Sequence, residues 1–166
     1  MGFKAIDKAS YQQRVSRLQW ALIAALLLIG LSLSELYHQL WGHDSGLWLN
    51  FAAVVSALAL VSIALYLLRD RPWMEDIRYV LRLKSELNRI YRSSRALEEA
   101  LQRDDETAIR IRYYSLHGSY YLYQLENNTL TLEELSEQIQ QLDEQIACLG
   151  LQVSVDDYHA GLLKAL

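Results

Sequence analysis

The chain has 166 residues, 52% of them hydrophobic and 22% charged, with a formal net charge of −4. The charges are segregated: residues 18–34 and 45–68 contain none, and the rest of the chain holds them all. That split excludes an ordinary soluble globule and a disordered chain, and a single cysteine excludes a disulfide-stapled secreted domain.

In chain order the first element is a basic arm, residues 1–17, carrying Lys4, Lys8, Arg14 and Arg17. A first transmembrane helix is predicted over 18–40, opening with LQWALIAALLLIGLSLS, and a second over 48–68, with a short loop at 41–47 between them. About twenty residues at 1.5 Å each cross a hydrocarbon core of roughly 30 Å. The competing reading, two buried helices of a soluble bundle, needs a larger protein to bury both all round. A cleaved signal peptide is the other alternative for residues 1–34, but the stretch after Gly30, LSLSELYHQL, is a poor small-x-small cleavage site.

The aromatic residues support two spans. Trp20, Trp41, Trp48, Tyr66 and Trp73 fall at their ends, where an apolar ring with one polar edge suits the headgroup zone. Lys and Arg set the orientation. They occupy the arm and the stretch after the second span (Arg69, Arg71, Arg78, Arg82 and Lys84), while the loop has neither. By the positive-inside rule both termini are cytoplasmic. Arg69, Arg71, Arg78 and Arg82 are then placed to meet anionic lipid headgroups, each contributing roughly 1 kcal/mol near the surface.

Around the outside turn, from the end of the first span into the loop, stand Glu35, His38, His43 and Asp44. These are metal-ligand types, but their spacing matches no helical metal motif, and a polar loop between aromatic anchors is the simpler reading. No metal and no cofactor is expected.

Residues 69–166 are expected to form a cytoplasmic helical domain. Pro72 breaks the chain after the second span. Val80, Leu83, Leu87, Ile90, Ser94, Leu97 and Leu101 alternate in steps of 3 and 4, a heptad seam with one polar slot at Ser94. Arg82–Glu86 and Glu99–Arg103 are spaced as i,i+4 pairs. Asp104 and Asp105 offer an N-cap for a second helix with seam Ile109, Tyr113, Leu116, Tyr120 and Tyr123, ended by Asn127 and Asn128. Thr131 and Glu134 read as a capping box for a third, with seam Leu132, Leu135, Ile139, Leu142, Ile146 and Leu149, and Gly150 at its C-terminal cap. Ser154 and Asp157 suggest an N-cap for a short helix through Leu163. Helices with one apolar seam each need partners, within the chain or in another copy. The fold class is thus all-α: a two-helix transmembrane hairpin, then an antiparallel bundle of three main helices plus a short C-terminal one.

Charge divides this domain. Residues 69–112 hold eleven basic and nine acidic side chains, whereas 113–166 hold one and eight. Five tyrosines surround His117–Gly118. Tyr113, Tyr120 and Tyr123 are in seam phase, while Tyr114 and Tyr121, seven residues apart, share an adjoining face and are the candidates for partner contact. Arg78, Arg82, Arg89 and Arg92 form a stripe opposite the first seam, interleaved with acids beside the bilayer, so nucleic acid is not an expected partner. There is no P-loop, GxGxxG, nucleophile elbow, CxxC or HExxH, and no ionisable residue at mid-depth in either span.

The stretches AIDKASYQQRVSR at 5–17, RDRPWMEDIRYVLRLKSELNRIYR at 69–92, YQLENNTLTLEEL at 123–135 and the final GLQVSVDDYHAGLL carry a likeness. Through them the chain resembles a gammaproteobacterial membrane family, Domain of Unknown Function family 3087. The resemblance implies a Gram-negative inner-membrane address. It carries no activity and transfers no functional residue.

The expectation is a non-enzymatic inner-membrane protein whose cytoplasmic helical bundle binds another protein or a second copy of itself. The alternative is an oligomeric pore-forming or membrane-perturbing effector, which would need a ring of hairpins and polar lining from Ser32, Ser34, Asn50, Ser56 and Ser62.

Overall fold

A computed structural model describes residues 2–41 and 46–165. Among the described residues the chain is helical with no strand. Six α-helices follow in order: α1 (Lys8–Trp41), α2 (Gly46–Leu68), α3 (Glu75–Arg92), α4 (Ser94–Leu101), α5 (Glu106–Glu126) and α6 (Leu132–Cys148). Single 3-10 turns lie at Pro72–Met74, Val155–Asp157 and Leu162–Lys164. The chain divides into two compact units, residues 9–78 and residues 1–8 with 79–166.

In the first unit, α1 and α2 are long and apolar enough to cross a membrane. Their large side chains stay outward: Leu28, Leu31, Leu58 and Ile63 are all exposed. Ala53 and Ala57 are the buried residues of α2, and Gly30 of α1 lies at Ala57, where a small side chain permits close approach. Ser34 Oγ donates to Asn50 Oδ1 at 2.5 Å, and Tyr37 OH bonds Ser56 Oγ at 2.9 Å. Helix α1 starts ten residues before the predicted span, so residues 8–17 of the basic arm are helical. Arg14 there pairs with Asp76 in the first turn of α3 at 2.9 Å. Pro72 opens the 3-10 turn that leads into α3, where its missing N–H has no role to fill.

In the second unit the predicted seam over 80–101 is broken. Helix α3 ends at Arg92 and α4 starts at Ser94. Ser93 leaves helical geometry (φ −101°, ψ 13°), and its N–H bonds Ile90 one residue short of the helical partner. Adjacent serines compete with the helix for backbone hydrogen bonds, and the polar slot at Ser94 supplies no packing to resist the bend. Four α-helices, not three, therefore make up the main part of this unit. The expected short helix after Ser154 is two separate 3-10 turns. Its N-cap is real: Ser154 N donates to Asp157 Oδ2 at 2.8 Å while Asp156 N donates to Ser154 Oγ.

Helix α5 is central, in contact with α4, α6 and both C-terminal 3-10 turns. Asp105 caps it by accepting from Ala108 N at 3.0 Å, and Asn127 ends it in the left-handed region at φ 61°. It buries two faces rather than one. Ile109 and Leu116 join Leu142 of α6, ringed by Tyr113, Leu135, Ile139 and Ile146, so the two predicted seams do meet. On another side Ala108 and Ile111 join Ile90, Leu97 and Ala100 of α3 and α4.

The capping box at Thr131 is absent. Thr131 makes no side-chain cap bond, and its Oγ1 is buried without a partner. At the other end α6 closes as expected. Gly150 takes φ 66°, its N–H bonds Ala147 O, and Leu151 N bonds Ile146 O at 3.1 Å, which is the Schellman arrangement. Neither expected pair Arg82–Glu86 nor Glu99–Arg103 forms; Glu86 meets Arg89, and Glu99 meets Arg95.

Candidate functional site

The aromatic residues of α1, α2 and the following turn that are expected as anchors stay outward. Trp20, Trp41, Trp48, Tyr66 and Trp73 are all exposed. Trp41 rests edge-on against Tyr37, Trp48 against Phe51, and the Arg69 guanidinium lies 3.9 Å over the Tyr66 ring. Of the arginines expected to meet headgroups, two share a carboxylate. Arg69 and Arg78 bond Asp70 at 3.2 and 2.6 Å, and Arg78 also donates to Arg69 O. The two guanidinium groups hold the Asp70 carboxyl below its usual value, with the Arg69 hydrogen bond the largest cause. Arg71 and Arg82 are exposed, with no ion pair among the described residues. His38 Nδ1 lies 2.8 Å from Ser34 O, one turn back on its own helix. His43 and Asp44 lie outside the described residues, and among those described no group of His, Cys, Asp and Glu could hold a metal ion.

Tyr114 and Tyr121 do share a face, but residues of this chain cover it. Tyr114 stacks on Tyr158 from the C-terminal segment, ring centroids 4.1 Å apart. Phe3 stacks on Tyr121 at 5.4 Å and tilts against Tyr114 at 5.7 Å. Tyr158 OH donates to Glu86 Oε2 of α3 at 3.2 Å. Both tyrosines are half-buried rather than presented to a partner. Burial, with Tyr79 and Glu86 adding to it, pushes the Tyr114 phenol up to about 12.

His117 faces another environment. Its ring lies 4.2 Å from Tyr113, and Nε2 is buried without a hydrogen-bond partner. Burial lowers its pKa from the usual 6.5, and Asp143 opposes that only in part. A depressed histidine favours the fold when neutral, so its contribution is fully present above about pH 6.5 and is lost as pH falls through the folded value. Thermal unfolding of the wild type is expected to weaken between pH 7 and 5 more steeply than that of a His117→Phe variant. Parallel curves for the two proteins would show that His117 charges freely in the fold.

A further site-like feature is a crevice of ≈ 440 Å³ between α3, the start of α4 and α5. Leu87, Ile90, Leu97 and Leu122 contribute apolar surface to it. Its polar lining includes Asn88, Tyr91, Ser94, Ser115, Ser119 and Tyr123. None of these six side chains has a hydrogen bond to another described residue, and Tyr91 is 76% exposed. The charged groups beside them are already engaged: Lys84 pairs with Glu126 at 2.5 Å, and Arg112 donates to Gln138 at 3.1 Å. A cleft that combines apolar surface with convergent, unused donors and acceptors has the makings of a binding site. The sequence held two signals for it, the polar slot at Ser94 and the Ser115–Ser119 spacing of four on one helix face. Neither singles out a crevice until α3 and α5 are placed together.

Comparison with known families decides the membership. A family model described as "Protein of unknown function (DUF3087)" matches residues 1–163. The chain belongs to that family. No curated protein and no solved structure matches it. Because the match takes in α1 through the second 3-10 turn at Val155–Asp157 and on to residue 163, the crevice and the aromatic face both lie inside the family's defining region.

Proposed function

We propose that this DUF3087 protein is a non-enzymatic inner-membrane protein whose cytoplasmic helical domain, residues 69–166, is an interaction module. In this reading α1 and α2 form a transmembrane hairpin, with both termini in the cytoplasm. The lack of Lys and Arg between the spans and their abundance on either side support that orientation. Arg71 and Arg82 reach anionic headgroups, while Arg69 and Arg78 are engaged with Asp70. The observation that carries the reading is the crevice beside Tyr91, with an exposed aromatic at its edge and unused polar groups within. The chemistry suits a protein surface with an apolar ridge and a few polar side chains.

A pore-forming effector is the weaker reading. Ser34, Asn50 and Ser56, needed for its lining, bond between α1 and α2.

The test uses the full chain in cells. The native thiol of Cys148 is exposed and reports topology without engineering. It is expected to resist a membrane-impermeant maleimide in intact spheroplasts and to react in inverted vesicles. With Tyr91 and Tyr123 each replaced by benzoylphenylalanine, irradiation is expected to capture the same protein, another one or a second copy, from both positions. Labelling of Cys148 in intact spheroplasts would refute the topology, and adducts confined to lipid would refute the interaction module.

A further inference from the structure

Residues 2–7 precede α1 without regular structure, yet they are held by named contacts. Phe3 occupies a seat formed by Tyr121, Tyr114 and Gly118. Gly118 lines the seat closely: a Cβ there would already touch the Phe3 ring edge at 3.5 Å, so only a side chain larger than alanine would intrude on it. The main chain of the next residue is read at both ends: Lys4 N donates to Tyr79 OH at 3.0 Å, and Lys4 O accepts from Tyr121 OH at 2.6 Å. Farther along, Lys8 Nζ donates to Asn127 Oδ1 at 2.8 Å.

This is the chemistry of peptide recognition in which main-chain bonds hold the segment and one side-chain pocket selects it. The geometry points to a peptide-reading site whose resident ligand is the chain's own N-terminal strap. The ligand class is a short segment without regular structure in which an aromatic residue is followed by a residue whose N–H and C=O are both free. Nothing in the contacts requires the segment to belong to the same chain. Tethering keeps the strap at an effective concentration of the order of millimolar, so the strap blocks its own site against competing peptides. Tyr79, Tyr114 and Tyr121 take no part in the Tyr91 crevice, so the two surfaces stand or fall separately.

The probe is a peptide of residues 2–8, Gly-Phe-Lys-Ala-Ile-Asp-Lys, carrying 4-fluorophenylalanine, followed by fluorine NMR against the full chain in nanodiscs. A Phe3→Ala chain, its seat vacated, is expected to shift the signal saturably. The wild type is expected to bind at least tenfold more weakly, and a Phe3→Ala/Tyr121→Ala chain not at all. A second measurement needs no variant. The chain has only two phenylalanines, Phe3 and Phe51, so fluorinated wild type gives two signals. Excess unlabelled peptide is expected to move the Phe3 signal to its solvent position. No saturable shift with a Phe3→Ala chain of wild-type near-UV circular dichroism, or a Phe3 signal indifferent to peptide, would overturn the inference. Equal binding with and without Tyr121 would overturn it too.

Discussion

Replacing Ile111 by alanine is expected to destabilise the helical domain by about 3 kcal/mol, and replacing Ile109 by alanine should cost a similar amount. Both side chains are fully buried, but in different clusters. Ile111 sits with Ile90, Leu97 and Ala100, and Ile109 with Leu116 and Leu142. Each truncation removes methyl groups from a packed site that closes only partly around the gap. Against a total stability of roughly 5–15 kcal/mol for a domain of this size, either loss is large. Denaturant unfolding of the full chain in nanodiscs, followed by near-UV tyrosine signals, reads it. Leu130→Ala is the control. Leu130 is 93% exposed, and its truncation should change stability by no more than about 0.5 kcal/mol. If Ile111→Ala matched that control, α5 would have one working face, as a single seam suggests, and the two-sided packing would be wrong.

Gly118→Leu is expected to cost about 3 kcal/mol, the upper part of the range for forcing carbon into a filled core. A Cβ at this position already lies 3.1 Å from Leu87 Cδ2 and 3.3 Å from Leu83 Cδ1, with Phe3 beyond. Alanine is a different case. The leucine methyl groups can give by a few tenths of an ångström, and leaving glycine in a helix interior regains about 1 kcal/mol. Gly118→Ala is therefore expected to be near neutral. Leucine adds three further carbons where α3 and the strap already stand, so it should also free Phe3. A thermal melt close to wild type for Gly118→Leu would mean that α3 and the strap yield at little cost.

Much of this architecture is legible in local sequence. Charge-free runs mark α1 and α2, because lipid-length helices tolerate few charges. Asp105, Asn127, Gly150 and Ser154 mark helix ends, because each satisfies a backbone group within a few residues of itself. The seams of α5 and α6 show where those two helices meet. Errors cluster where local rules compete. The heptad of 80–101 runs straight through Ser93, since spacing alone takes no account of a serine pair that bends the backbone. Thr131 has the right neighbours for a capping box, but its hydroxyl is buried away from them.

The tyrosines show the limit of a one-dimensional reading. Tyr114 and Tyr121 look exposed when α5 is judged by one seam, because periodicity weighs only a helix's own residues. What covers them is Phe3, more than a hundred positions earlier, and Tyr158, over thirty later. The sequence by itself determined family, helical class, two membrane-length helices and most helix ends, all set by interactions spanning a few residues or by composition. Only the tertiary structure decided that α5 serves two cores, that the N-terminus fills the aromatic seat, and that six unused polar side chains share one crevice. Those features depend on which distant residues meet, and side-chain contact across such separations leaves no periodic trace in the chain.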